Sequence, residues 1–148
     1  MPSTFVSLNY HIVFSTTDRA PMISDSWVAR LHEYLGGTIK GLGGVSLQVG
    51  GIEDHVHLLI GLKPTHCLSD LLRELKRTSS ILVHTEIGEN CFAWQEGYSA
   101  FTVSPSACDS VRGYIRNQRQ HHQRKSFRDE LVELLQRAGI DFEDRYLD

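Results

Sequence analysis

Apolar and polar positions alternate from residue 5 to residue 16, with Val6, Leu8, Tyr10, Ile12 and Phe14 on one side and Ser7, Asn9, His11 and Val13 on the other. That period of two predicts a strand. After a turn through Thr16-Thr17-Asp18-Arg19-Ala20-Pro21 the period lengthens. Trp27, Val28, Leu31, Tyr34, Leu35 and Ile39 form one stripe, which predicts a helix capped by Ser24 or Asp25 and running to about Lys40. Gly41, Gly43 and Gly44 end it. Residues 45–51 and 51–60 read as two strands joined across Glu53-Asp54 as a hairpin. A helix from Ser69 to about Glu86 carries Leu71, Leu72, Leu75, Ile81 and Leu82 inward, and Gly88 closes it. Residues 92–103 read as a last strand with Trp94, Tyr98, Phe101 and Val103, and Gly97 as a bulge or close-approach point. Ser106 and Asp109 make a capping-box-like start to a long polar helix ending near His122. A final helix spans 126–138, with Leu131, Leu134 and Leu135 inward. The order β-α-β-β-α-β followed by helices is the split βαβ pattern of ferredoxin-like folds. The predicted class is therefore α+β, an antiparallel four-stranded sheet with a C-terminal helical extension, in one domain over 1–148.

Composition changes this picture little. A chain of 148 residues, 41% hydrophobic and 22% charged, fits one soluble globular domain with a full core. No apolar run approaches the roughly 18 residues of a membrane span, and no signal-peptide pattern is present. Cys67, Cys91 and Cys108 are odd in number and form no Cys-x-x-Cys pair, so neither a disulfide framework nor a zinc knuckle is indicated. A cytoplasmic location is expected. Charge matters more in its distribution than in its sum of −3. Residues 110–128 hold six basic residues and no acid, whereas residues 129–148 hold seven acids against Arg137 and Arg145. A polyanion meets the local basic segment, not the total.

Chemistry enters at Glu53-Asp54-His55-Val56-His57-Leu58. Alternation puts His55 and His57 on one face of a strand, spaced to hold one divalent ion. Eight histidines in the chain would produce roughly 0.4 His-x-His matches by chance, so the pair needs a second constellation. Tyr114-Ile115-Arg116-Asn117-Gln118 supplies it. Tyr114 and Gln118, four apart, share a helix face. Two imidazoles and an amide oxygen make three ligands, and a phenol beside the third is a candidate nucleophile that needs metal polarisation of a phosphate. Glu53 shares the histidine face by alternation and reads either as an orienting partner or as a turn residue. Of the other histidines, only His121 and His122 lie near the proposed site by helix spacing. Trp94 and Tyr98 read as core ahead of base stacking. Gly113 reads as a close-approach point, a place where the helix shifts, or simple tolerance. Arg73, Lys76 and Arg77 on the second helix, with Arg112, Arg116 and Arg119 on the tyrosine helix, are candidate phosphate contacts.

The chain resembles the insertion-sequence-200-like, single-tyrosine HUH transposases over nearly its whole length. The resemblance runs through Tyr10-His11-Ile12-Val13-Phe14-Ser15-Thr16, then Asp54-His55-Val56-His57-Leu58-Leu59, then Leu75-Lys76-Arg77-Thr78-Ser79-Ser80. It continues through Trp94-Gln95-Glu96-Gly97-Tyr98-Ser99-Ala100-Phe101 and Tyr114 to His122. It implies His55 and His57 as metal ligands, Gln118 as the third, Tyr114 as nucleophile, and Mg²⁺ or Mn²⁺ as the ion. It further implies a homodimer, in some relatives with the tyrosine helix of one subunit completing the other's site. The implied activity is cutting and rejoining of single-stranded DNA, at hairpin ends, through a 5′-phosphotyrosine and a free 3′-OH, without ATP. The loop Ser15-Thr16-Thr17-Asp18-Arg19 is less basic than in many relatives, which leaves open a domesticated, repeat-associated tyrosine nuclease. Two other classes stay open: a non-catalytic single-strand nucleic-acid-binding module, and a metal phosphodiesterase that uses water and has no need of Tyr114.

Overall fold

Residue 12 sits where the chain's apolar alternation is strongest, and the strand around it is the centre of the fold. The computed structural model describes residues 3–147. Strand β1 (Asn9–Ser15) pairs antiparallel with β3 (His55–Gly61) and with β4 (Ser99–Thr102), and β3 pairs antiparallel with β2 (Val45–Ile52), in the order β2-β3-β1-β4. Helix α1 (Val28–Gly41) links β1 to β2, and α2 (Leu68–Leu82) links β3 to β4. The split βαβ arrangement is thus present. On one face of the sheet Ile12, Phe14, Val56, Leu58 and Ile60 pack with Leu31, Leu35 and Ile39 of α1 and Leu71, Leu72 and Leu75 of α2, and this is the main core. By the same alternation His11, Val13, His55, His57 and Leu59 belong to the other face.

Several predicted boundaries move, each for a local reason. Strand β1 starts at Asn9 rather than residue 5, because Asn9 already faces Gly61 at the end of β3; Phe5 is 93% exposed. Helix α1 starts at Val28, with the Ser24 carbonyl accepting from the amides of Trp27 and Val28 in a preceding turn and no side-chain cap. In α2 Ile81 points outward, while Ser79 is buried in the inward stripe. Its hydroxyl donates to the Leu75 carbonyl at 2.6 Å and accepts from the Trp94 indole at 2.9 Å. Strand β4 is only four residues long. Trp94 makes a single bridge to Thr16, and then Gln95 turns its amide oxygen onto the Ser15 amide (2.6 Å) and hydroxyl (2.7 Å), which ends strand pairing. Trp94 is core, against Phe14 and Phe92, as expected, and Tyr98 is 38% exposed.

The C-terminal helices cover the histidine face. The long polar helix is divided: α3 is Cys108–Arg116, Asn117 leaves helical geometry at φ −98 and ψ 21, and α4 is Gln118–His121. Residues 105–107 form a 3-10 turn without a side-chain cap, in place of the expected capping box. Helix α5 (Phe127–Arg137) is capped by the Ser126 hydroxyl, which accepts from the Asp129 amide at 3.2 Å. Gly50 fixes how closely α3 sits on the sheet. A Cβ there would lie 2.4 Å from the Ile115 carbonyl oxygen, so only glycine lets this helix rest directly on the residue paired with His57. Gly113 has no such role: nothing lies within 4 Å of its missing Cβ. No helix among the described residues is long and apolar enough to cross a membrane.

Candidate metal and tyrosine centre

The β2–β3 hairpin turns through Glu53-Asp54, with Ile52 opposite His55. Glu53 therefore lies in the turn, exposed, off the strand face. The orienting carboxylate is its neighbour: the His55 Nδ1–H donates to Asp54 Oδ1 at 2.7 Å. His55 and His57 are both fully buried. His57 Nδ1 meets His11 Nε2 at 2.8 Å, a diagonal contact across the β1–β3 ladder. His122, just after α4, donates from Nδ1 to the Lys125 carbonyl at 2.6 Å. Each of these three imidazoles thus has its Nδ1 tied and its Nε2 turned to one centre.

At that centre is Glu130 of α5, 1% exposed. Its Oε1 lies 3.0 Å from His57 Nε2, 3.1 Å from His122 Nε2 and 3.3 Å from His55 Nε2. Its Oε2 accepts from the Gln118 amide at 3.0 Å and from the Tyr114 hydroxyl. Gln118 Oε1 accepts from His55 Nε2 at 3.0 Å and from His122 Nε2 at 2.9 Å. Phe127 stacks on the His55 ring at 4.1 Å between centroids, sealing the centre from above. Tyr114 lies edge-on to His57 at 5.6 Å and borders a cavity of about 370 Å³ shared with His11, Val111, His121 and Leu134.

Burial and hydrogen bonding set the charges. Burial pushes His57 down to about 4 and His11 down to about 3. Burial opposes charge on His55 too, but its hydrogen bonds to Asp54 and Glu130 outweigh it and hold the imidazole up at about 9. Glu130 is likewise disfavoured by burial as an anion, yet hydrogen bonds from His122, His55 and His57 hold it far below the usual carboxylate range. Burial, then the Glu130 carboxylate, raise the Tyr114 phenol above its ordinary value. Stability should register the two depressed imidazoles together with His32, which burial lowers to about 4. Between pH 6.5 and 5 the unfolded chain protonates His11, His32 and His57 while the folded chain does not, so stability falls with pH by up to about 1.4 kcal/mol per unit for each. His55 is charged in both states across that window; its contribution is present below 6.5 and is lost as pH rises through about 9. Urea unfolding in chelator at pH 5, 6 and 7 measures the slope, and a flat profile would contradict it.

The sequence motifs His55, His57, Tyr114 and Gln118 are brought together within a single chain. The family described as Transposase IS200 like matches residues 4–118. The chain belongs to that family. Among solved structures, a proposed transposase from Deinococcus radiodurans R1, known at 1.90 Å, aligns with TM-score 0.64 and 24% identity over 80% of this chain and 95% of its own. A REP-associated tyrosine transposase bound to a REP hairpin aligns with TM-score 0.61 and 12% identity over 82% of this chain and 73% of its own. Both share this fold. No curated protein matches the chain in sequence.

The family match ends at Gln118, so the centre draws His122 and Glu130 from beyond it. His122 stands out in the sequence by its helix spacing from the tyrosine. Glu130 is missed entirely, although a signal exists: an acid three residues after Phe127 falls on the inward stripe of α5. The six basic candidates separate into two groups. Arg73, Lys76 and Arg77 lie on α2, across the sheet from the histidines. Arg73 pairs with Asp70 and Arg77 with Glu74, while Lys76 holds the carbonyls of Gln95 (2.9 Å) and Gly97 under the Tyr98 ring. Arg112, Arg116 and Arg119 lie on the tyrosine side. Arg112 has a buried Nε without a hydrogen-bond partner, Arg116 is exposed, and Arg119 pairs with Asp25 at the surface.

Proposed function

We propose that this transposase cuts and rejoins single-stranded DNA through a 5′-phosphotyrosine on Tyr114, with Mg²⁺ or Mn²⁺ held by His55, His57 and Gln118. One juxtaposition supports the reading: the Tyr114 hydroxyl and the Nε2 atoms of both strand histidines converge on the same buried carboxylate. A nucleophile and a metal site therefore share one centre. The donor set fits an ion. The two strand imidazoles, with His122 and Glu130, offer donor atoms all within 4.8 Å of one another, and Gln118 Oε1 lies 3.0 Å from His55 Nε2.

The chain's own residues do the positioning. Gly50 seats α3 so that Tyr114 and Gln118 flank Ile115 over the histidine strand. His11, Asp54 and the Lys125 carbonyl fix the imidazoles. In the free protein burial, and then Glu130, keep the phenol protonated. In cleavage the phenolic oxygen attacks phosphorus; the Tyr–O–P bond forms as the P–O3′ bond breaks, and the phenol's proton ends on the departing 3′-hydroxyl. One phosphodiester replaces another, so the reverse attack rejoins strands without ATP. A bound ion would supply charge neutralisation at the phosphate and the leaving oxygen. A homodimer belongs to the same family-based reading, although Tyr114 reaches the histidines of its own chain. The partner proposed is a single-stranded DNA hairpin, as in the REP-hairpin complex of the neighbour.

The DNA path runs along Arg112, Arg116 and Arg119. Arg116→Ala should weaken binding and flatten the log–log salt dependence by roughly 0.7, the value of one single-strand phosphate contact. Lys76→Ala, which removes a tie to loop carbonyls, should lower the melting temperature with a smaller effect on slope. Salt titrations that leave Arg116→Ala with the wild-type slope remove it from the path. The activity itself is tested by incubating labelled single-stranded hairpin ends with the protein in Mg²⁺ or Mn²⁺ and running a denaturing gel. A protein-linked strand mapped to Tyr114 is expected. Free cleaved strands alone point to a water-using phosphodiesterase, and binding without cleavage to a non-catalytic module.

A further inference from the structure

We infer that the metal in this chain is held by three imidazoles and a carboxylate, His55, His57, His122 and Glu130, and that this set selects a first-row transition ion over Mg²⁺. The inference rests on the reading above only in placing a metal at His55 and His57. His122 and Glu130 lie outside the family match of 4–118, and no part of the His-x-His or Tyr114–Gln118 pattern requires them. The geometry does. His122 has the same preparation as the two strand histidines: Nδ1–H is spent on a carbonyl at 2.6 Å, so Nε2 is the nitrogen turned inward, 2.9 Å from Gln118 Oε1 and 3.1 Å from Glu130 Oε1. Anchoring of the far ring nitrogen is what metal-bound histidines show, because it fixes the tautomer and the ring plane. A histidine present only for packing needs no such alignment with two others.

Glu130 carries the second half. A carboxylate 1% exposed on an amphipathic helix is unfavourable unless it is compensated. Here one of its oxygens faces three imidazole nitrogens at 3.0, 3.1 and 3.3 Å. Gln118 spends its amide N–H on the other oxygen at 3.0 Å, which orients the carboxylate. Two imidazoles and an amide oxygen form a set that Mg²⁺ tolerates. Three imidazoles and one carboxylate do not, because Mg²⁺ prefers oxygen donors, whereas imidazole suits the first-row transition ions.

The test is metal binding by the full chain without DNA, so that transesterification plays no part. Mn²⁺ occupancy is read by electron paramagnetic resonance, and Co²⁺ binding by its visible absorption, which reports donor number and type. Wild type should bind one Mn²⁺, release it to Zn²⁺ or Co²⁺, and retain it in about 100-fold excess Mg²⁺. His122→Ala and the isosteric Glu130→Gln should each weaken Mn²⁺ binding at least about tenfold and change the Co²⁺ spectrum, while Glu133→Gln, one turn along α5, leaves both as wild type. Circular dichroism confirms that each variant is folded, and Glu130→Gln preserves side-chain size if His122→Ala is not. If His55→Ala loses Mn²⁺ while His122→Ala and Glu130→Gln keep it, the inference is overturned and the proposed function stands. Equal competition by Mg²⁺ overturns it as well. Mn²⁺ binding indifferent to His55→Ala overturns the metal assignment in both.

Discussion

Tyr114→Phe is expected to leave a folded protein that binds DNA and metal as wild type does and forms no covalent adduct, with strand cleavage lowered by roughly 10³-fold or more, the scale of removing a nucleophile. The substitution deletes one oxygen. The ring keeps its edge contacts with His57 at 5.6 Å and His121 at 5.2 Å, so α3 has no reason to move. Glu130 loses one donor but keeps His57, His122 and Gln118, and the stability cost should stay within about 1–3 kcal/mol, that of one hydrogen bond to a charged group. Adduct formation on a denaturing gel, followed by peptide mapping, decides the matter. A cleaving Tyr114→Phe protein, or an adduct mapped to Tyr98 or Tyr10, would remove Tyr114 from the chemistry.

Gly50→Ala should drive the tyrosine helix and the sheet apart. Its Cβ would stand 2.4 Å from the Ile115 carbonyl oxygen and 2.8 Å from Ile115 Cγ2. The first of these is helix backbone, which has no rotamer to give. Either the β2–β3 pairing opposite His57 bends or α3 lifts from the sheet. Overpacking of this kind costs about 1–3 kcal/mol. Displacing Tyr114 and Gln118 by about 1 Å should cost a further 10²-fold in cleavage, because catalytic geometry tolerates little drift. Gly113→Ala, two residues before Ile115 on α3, is the matched control. Nothing lies within 4 Å of its Cβ, and alanine in a helix interior should stabilise by about 1 kcal/mol. Thermal melts and cleavage rates of the pair measure both effects; a Gly50→Ala protein with wild-type melting and cleavage would show that the close approach is dispensable.

Local pattern carried the elements that obey a single period. The His-x-His face of β3 was legible because strand geometry alone places its side chains, whereas Tyr114 and Gln118 meet at Glu130 from two helices, α3 and α4, on either side of Asn117. What failed depended on events outside the window being read. Alternation continued through Glu53 suggested an orienting carboxylate, but a two-residue turn ends the strand there and hands that role to Asp54. The apolar spacing of Phe92 and Trp94 mimics a strand, and only Gln95 folding back onto Ser15 shows why pairing waits until Ser99. The break at Asn117 is invisible in a run of polar residues with good helix propensity. Glu130 escaped because a charged residue in an amphipathic helix reads as solvated unless its partners, 73 and 12 residues away, are known.

Those separations have a consequence for how the molecule comes into being. The contacts that assemble the centre span 46 residues from His11 to His57, 63 from His55 to Gln118 and 73 from His57 to Glu130. Loop closure over such distances is entropically costly and raises contact order, so these contacts should form late and together in folding. Synthesis runs in the same direction. A nascent chain carries its paired histidines well before its tyrosine, and its tyrosine before Glu130. A ribosome-bound intermediate therefore holds an incomplete cluster until α5 emerges and Glu130 joins the three imidazoles.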